Sequence, residues 1–185
     1  LSKIKAPKIK KDLAYVEGKN FDNYIHDMKI VQEFAVWNRK AMADEIISRM
    51  GLTVINDFST IHNYIDTETM ILRKGAISAE KGEMVIIPIN MRDGSIIAIG
   101  KGNKDWNCSA PHGAGRLMSR KKAKEILSLD EFTEIMKDIY TTSVNQSTLD
   151  ESPMAYKPID EILENIKDTA DIHKIIRPIY NFKSS

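Results

Sequence analysis

The chain has 185 residues, 42% hydrophobic and 29% charged, with a formal net charge of +1. This length suits a single domain over 1–185 with a real core, and this charge gives no global pull toward nucleic acid, so any RNA contact must come from a local patch. A lone cysteine, Cys108, excludes an intrachain disulfide framework and suits a reducing, cytoplasmic setting, while no apolar run reaches membrane-span length, so no membrane partner is expected.

Leu1 to Lys11 is lysine-rich and lacks a helical or strand period, so residues 1–14 are expected to be an extended lead-in. A chain that opens on leucine reads as a fragment or a processed product. Residues 22–49 are expected to be helical, with Ile25, Met28, Val31, Ala35, Met42 and Ile46 near one face, Asp22 as cap and Gly51 after the end. Residues 52–58 and 69–75 read as strands. Glu83 to Asn90 reads as a buried strand, with Pro88 marking an edge or a bulge, and Arg92-Asp93-Gly94 turns the chain into a strand from Ser95 to Ile99. Residues 101–111 read as loop. Ser119 is placed to cap a short helix through Leu127, and Ser128 with Glu131 to open a helix through Tyr140 by a capping box. Residues 141–156 read as loop, Pro158 as the first turn of a helix through Lys167, and His173 to Phe182 as a strand or extended tail. Strands and helices mix without a βαβ rhythm. The expected class is therefore α+β, with mixed or antiparallel sheets flanked by helices.

The most informative segment is Ser109-Ala-Pro-His-Gly-Ala-Gly-Arg-Leu-Met-Ser-Arg120. His112 can serve as a nucleophile or a base near neutral pH. Gly113 and Gly115, flanking Ala114, let the backbone approach a ligand closely and expose N–H groups to an anion, and Arg116 and Arg120 bring forked phosphate donors. The combination fits attack by a histidine on phosphorus. Its bland alternative is a glycine turn with a solvent-facing imidazole. His62-Asn63 sits ahead of Arg73-Lys74-Gly75-Ala76, and one histidine alone makes no metal site. His26 and His173 read as structural or solvated, Cys108 as a lining or packing residue, and Asn38 of Trp37-Asn38-Arg39 as a buried polar group with a structural role, the alternative being a contact for RNA or the active site.

The run His112-Gly113-Ala114-Gly115-Arg116, with Ser119-Arg120 downstream, resembles the signature of the RtcB RNA-splicing ligases. The resemblance extends from about Tyr15 to Lys183 and covers the C-terminal part of that family's catalytic protein. It implies part of an RtcB-like fold and a GTP- and manganese-dependent RNA ligase. His112 would attack the α-phosphate of GTP and carry guanylate (covalent GMP). The guanylate would pass to an RNA 3′-phosphate, which can arise from a 2′,3′-cyclic phosphate, and a 5′-hydroxyl would then displace GMP. By the same resemblance His62 is a manganese ligand and Asn63 neighbours the nucleotide. Pro88, Asn90, Met91 and Ser95 form a nucleotide-contacting loop, although the family usually carries glycine and serine where this chain has Ile89 and Asn90. Gly113, Ala114 and Gly115 join the nucleotide site, as do Tyr156 in Glu151-Ser-Pro-Met-Ala-Tyr-Lys157 and Lys183 in the tail Arg177 to Lys183. Arg116, Arg120 and Lys74 are implied for phosphate or RNA.

The family's other manganese ligands, an aspartate, a cysteine and further histidines, belong to motifs this sequence does not contain. The implied partners are therefore RNA, as tRNA halves or broken RNA, and an upstream N-terminal portion that completes the metal site. Two other readings compete: a nucleotide- or RNA-binding module without catalysis, and a structural α+β domain with a histidine turn.

Overall fold

The computed structural model describes residues 14–183, so the lysine-rich segment 1–13 lies outside the described residues, as do 184 and 185. The described chain divides into two compact units. One comprises residues 14–56 and the turn Ile65–Met70; the other comprises Asp57–Tyr64 and everything from Ile71 onward.

The first unit is dominated by helix α1, Gly18–Met50. Glu17 is its N-cap and offers no side-chain cap, so Asp22 sits inside the helix rather than capping it. Gly51 closes it in the left-handed region as expected. No residue of α1 is buried, and Phe34 and Trp37 are largely exposed. The spacing explains why no single stripe forms. Ile30, Phe34 and Trp37 follow i, i+4, i+7 on a different flank from Met28, Val31, Ala35 and Met42. Asn38, expected to be buried, is exposed. Glu45 and Arg49 pair at i, i+4, as do Lys40 and Asp44, each worth about 0.3 kcal/mol.

Residues 52–58 form no strand, contrary to expectation. Their apolar side chains meet no partner edge among the described residues, and Ile55 is 98% exposed. The first strand is instead β1, His62–Asp66, followed by β2, Ile71–Ser78. The polar stretch read as loop contains a 3-10 turn at Lys104–Trp106 and a short strand, β5 (Ser109–Pro111), which pairs antiparallel with β2. The resulting sheet has the order β1-β2-β5.

A second sheet is built from β3 (Met84–Asn90), β4 (Gly94–Gly100) and β7 (Ala170–Ile176), all antiparallel. Pro88 has no N–H to give a ladder, and it lies on the edge strand β3, where the register shifts between Pro88 and Asn90. The strand expected at His173 begins earlier and ends at Ile176. The tail then forms β8, Tyr180–Asn181, parallel to β6, Tyr140–Thr141.

Three short helices complete the unit: α2 (Arg120–Ile126), α3 (Leu129–Met136) and α4 (Ile159–Asn165). Ser119 and Ser128 cap α2 and α3 as read from sequence, accepting from Lys122 N and Glu131 N. α3 stops at Met136, because Tyr140 is taken into β6. Pro158 is the N-cap of α4 rather than its first helical residue. The presumed loop 141–156 holds two 3-10 helices, Gln146–Glu151 and Pro153–Ala155, the first closed by an Asn145–Thr148 capping box. The main core joins both sheets to α4 through Ile77, Val85, Ile87, Ile96, Ile162 and Ile166; Phe132, Met136, Leu149 and Met91 form a second cluster. The architecture is α+β with antiparallel sheets, as expected.

Gly94 is where β3 turns into β4. Its φ of +80° suits glycine, and a Cβ there would lie 2.0 Å from the Ile176 carbonyl oxygen of β7. Gly94→Ala should therefore cost about 2 kcal/mol or more in urea unfolding, from backbone strain and a displaced β7. Unaltered stability would mean that β7 does not pack as closely as described.

Candidate functional site

β2 and β5 bring the two motif histidines together. Gly75 of β2 donates its N–H to Asn63 Oδ1 at 2.7 Å, and its carbonyl accepts from His112 N at 3.3 Å. Asn63 takes φ +54°, a conformation asparagine tolerates, to make that bond. The His62 and His112 rings consequently stack, with centroids 5.5 Å apart and planes 24° from parallel. Burial, and then the positive charge His62 would carry, lower the His112 pKa below the ordinary histidine value. The neutral, nucleophilic imidazole is thereby favoured.

Beyond His112 the chain turns sharply. Ala114 N donates to the Pro88 carbonyl at 3.0 Å, and a Cβ on Gly113 would meet that same oxygen at 3.1 Å. The motif is thus laid against β3, and Arg116 is carried to a bridge with Tyr156. Between these segments opens a cleft of about 650 Å³. Its wall takes in Pro88, Asn90, Met91, Ser95, His112, Gly113, Ala114, Gly115, Arg116, Arg120, Tyr156 and Lys183. Twelve residues singled out from sequence therefore share one cavity. Three do not line it: His62 stacks behind His112, Asn63 braces Gly75, and Lys74 lines a separate hollow of about 370 Å³ with Trp106.

The loop that departs from the family pattern has a local explanation. Ile89 is buried in the main core. Asn90 turns its side chain onto its own loop, donating to Asp93 Oδ2 at 2.8 Å and accepting from the Arg92 and Asp93 N–H groups. Arg92 forks onto Asp93. Burial alone would raise the Asp93 carboxyl, but the bonds from Arg92 and Asn90 outweigh it and hold it below its ordinary range.

Sequence reading assigned no part to Asp150, Glu151, Arg177 or Asn181. Arg177 and Asn181 line the cleft, and Asn181 Nδ2 reaches Met91 O at 2.6 Å. Asp150 receives Arg120 at 2.7 Å and Lys124 at 3.2 Å. Glu151 receives Arg120 and Lys183 and lies within 3.7 Å of Arg116. Arg116 also donates to Tyr156 Oη at 2.9 Å and lies 4.8 Å from its ring centroid. The only advance signal was a pair of carboxylates at the head of the segment ending in Tyr156. Two acids among arginines brought together by folding have no sequence period. Burial and the Glu151 hydrogen bond push the Tyr156 hydroxyl up to about 12, so it stays protonated.

The Asp150 network carries a pH signature. Burial would raise its carboxyl, but Arg120 and Lys124 prevail and hold it below the ordinary 3.8. A lowered folded pKa gives stability that is fully present above the unfolded value and lost as pH falls through the folded one. Asp150→Asn should cost about 1–2 kcal/mol at pH 7, since Arg120 and Lys124 are partly exposed, and should flatten the decline below pH 3.8. Parallel acid-unfolding curves for both proteins would refute the pairing.

Among the described residues no group of three or more His, Cys, Asp or Glu side chains is placed to hold a metal ion. His62 fits as a single imidazole ligand and does not amount to a metal centre. No helix of the described chain is long and apolar enough to cross a membrane.

The fold and cleft define an α+β protein whose cavity, of nucleotide size, pairs a half-buried imidazole with guanidinium and ammonium donors suited to phosphate. The chain belongs to the RtcB family: the model for tRNA-splicing ligase RtcB matches residues 1–184. It is similar to the RNA-splicing ligases of two Escherichia coli strains, 35% identical to the one called RtcB1 and 33% to RtcB of strain K12. Each match covers 91% of this chain and 46% of the relative. It is also 31% identical to the tRNA-splicing ligase RtcB of Aeropyrum pernix, over 77% of this chain and 37% of that protein. The chain thus spans less than half the length of these relatives.

Proposed function

We propose that this chain supplies the nucleophile and much of the guanylate pocket of an RNA ligase that joins a 3′-phosphate or 2′,3′-cyclic phosphate end to a 5′-hydroxyl end. The observation that carries the reading is the placement of His112. Its imidazole is half-buried, biased toward the neutral form, and lines a nucleotide-sized cleft together with Arg116, Arg120, Tyr156 and Lys183.

The ring nitrogen's lone pair attacks the α-phosphorus of GTP. An N–P bond forms, the bond to the bridging oxygen breaks, pyrophosphate leaves, and the ring's N–H proton passes to solvent, so the phosphoramidate carries a neutral imidazole and an anionic phosphoryl group. The RNA 3′-phosphate oxygen then attacks that phosphorus and frees His112. In the last step the 5′-hydroxyl attacks the activated RNA phosphate, gives up its proton, and releases GMP. Arg116, Arg120 and Lys74 are assigned to phosphates of nucleotide or RNA. Pro88, Asn90, Met91, Ser95, Gly113, Ala114, Gly115, Tyr156 and Lys183 enclose the guanylate, and Asn63 acts from behind by bracing Gly75.

Manganese would offset phosphate charge when bound. His62 would give it one ligand, and the rest would come from the complementary portion of a full-length protein, because the described residues do not make the site alone. The test is labelling by GTP carrying label in the α-phosphate, with manganese, with and without that complementary portion. Acid-labile, alkali-stable label supports the reading, and no label in either preparation removes it. A non-catalytic nucleotide- or RNA-binding module is favoured by one observation, the commitment of Ile89 and Asn90 to core and turn. Saturable GTP binding without label in the reconstituted protein would select it.

A further inference from the structure

Glu151 is the residue on which the cleft's polar groups converge, and the family signature gives it no task. One carboxylate oxygen accepts from Tyr156 Oη at 2.9 Å and lies 3.3 Å from Lys183 Nζ. The other accepts from Arg120 and lies 3.7 Å from Arg116. Its side chain is 15% exposed. Burial would raise its carboxyl, yet the hydrogen bond from Tyr156 and the charges of Lys183 and Arg120 outweigh this and keep it ionised. Among the described residues the carboxylates paired with Arg116, Arg120, Lys124 and Lys183 are Asp150 and Glu151, so this cluster keeps an excess of positive charge after its internal pairing.

The tail that carries Lys183 is anchored by its backbone and by Asn181, which bonds Met91 O and accepts from Thr141, but among the described residues the Lys183 ammonium itself pairs with Glu151 alone. β8 has two residues, and beyond it the Lys183 backbone N–H donates to Ser143 Oγ at 2.8 Å. A lysine side chain has four rotatable bonds, so its ammonium is spread over many positions unless a partner fixes it. Tyr156 presents the complementary case, because its hydroxyl proton is turned onto Glu151 while the oxygen accepts from Arg116.

We propose that Glu151 is a positioning residue. Its two oxygens hold Lys183 and Tyr156 on one side and the motif arginines on the other, presetting the cleft for a guanosine nucleotide. The proposal rests on the nucleotide reading given above. It also predicts a sign. If Glu151 only diluted the positive charge, its neutralisation would tighten binding of a polyphosphate; as a positioning residue, its neutralisation weakens it.

The experiment compares the chain with Glu151→Gln, Lys183→Met and the double variant, after thermal melts confirm folding. GTP affinity is measured by calorimetry. Lysine reactivity toward an acylating reagent is mapped by mass spectrometry. Glu151→Gln is expected to weaken GTP binding about tenfold and to raise the reactivity of Lys183 selectively. Lys183→Met should then cost far less in the Gln background than alone, a non-additivity that general destabilisation would not produce. Unchanged or tighter GTP binding, or unchanged Lys183 reactivity, overturns the proposal. Should Glu151→Gln expose Lys183 while the unaltered chain, with or without its complementary portion, shows no saturable GTP binding, the pairing stands and the nucleotide reading falls. If Glu151→Gln does not fold, Lys183→Met against Tyr156→Phe provides the same test. Both should weaken GTP binding, and equality with the unaltered chain overturns the proposal.

Discussion

His112→Ala should reduce covalent labelling from α-phosphate-labelled GTP to background, and no change elsewhere in the cleft should match that loss. In the proposed reaction the imidazole alone supplies the bond-forming nitrogen: methyl has no lone pair, and the neighbouring ring of His62, stacked at 5.5 Å, does not line the cleft. The backbone should survive the substitution, because His112 is tied to β2 through its N–H rather than its ring. Melting temperature should therefore stay within a few degrees of the parent protein. GTP affinity should fall only modestly, since the cations lining the cleft are untouched. This split distinguishes a nucleophile from a binding residue: labelling vanishes while binding persists. Label that persisted in the Ala variant would move the nucleophile to another residue, and His62 and Lys183 would be the next to replace.

Much of this site could be read from the sequence because it is local. His112 through Arg120 is one contiguous run, and the short helix that follows is announced by Ser119, whose capping bond forms as the pattern requires. The β3–β4 hairpin was legible for a similar reason, since short apolar runs on either side of Arg92-Asp93-Gly94 mark both strands and the turn. What could not be read was set by contacts distant in sequence. β5 has only three residues and becomes a strand because β2 is there to pair with it. Residues 52–58 have strand-like composition but no partner edge among the described residues. Asn90 was read as a nucleotide contact; it lines the cleft, and only the fold shows that its amide is also engaged by Asp93. Glu151 gave no signal beyond its place at the head of the segment ending in Tyr156, because its partners lie at 116, 120, 156 and 183 and only the fold collects them. The helix α1 illustrates the converse: its period was correct, but periodicity reports which side chains share a face and not what covers that face.

Arg73 leads to the second large effect. It is 2% exposed, deep beneath the β2–β5 pairing. Its Nε donates to Ser109 Oγ at 2.9 Å, one terminal nitrogen to Tyr64 Oη at 3.1 Å, and the other to the Asn107 and Cys108 carbonyls at 3.2 and 3.5 Å. Asn107 and Cys108 both hold positive φ, so the carbonyls that accept from Arg73 belong to a strained stretch just ahead of β5. One guanidinium therefore fixes β1 through Tyr64, the strained loop, and the start of the strand that delivers His112. Arg73→Ala would empty a large volume and leave these part-buried acceptors without their donor. Loss of a buried, multiply bonded charge of this kind is worth about 3–5 kcal/mol, so Arg73→Ala should shift urea unfolding by that amount. Arg73→Lys should recover only part, because an ammonium cannot reproduce a planar fork that reaches four oxygens. At temperatures where Arg73→Lys is fully folded, labelling at His112 should still fall below the parent level, because the register of β5 against β2 sets where the imidazole stands. Stability of the Ala variant within about 1 kcal/mol of the parent would mean that β5 is held by its ladder with β2 alone.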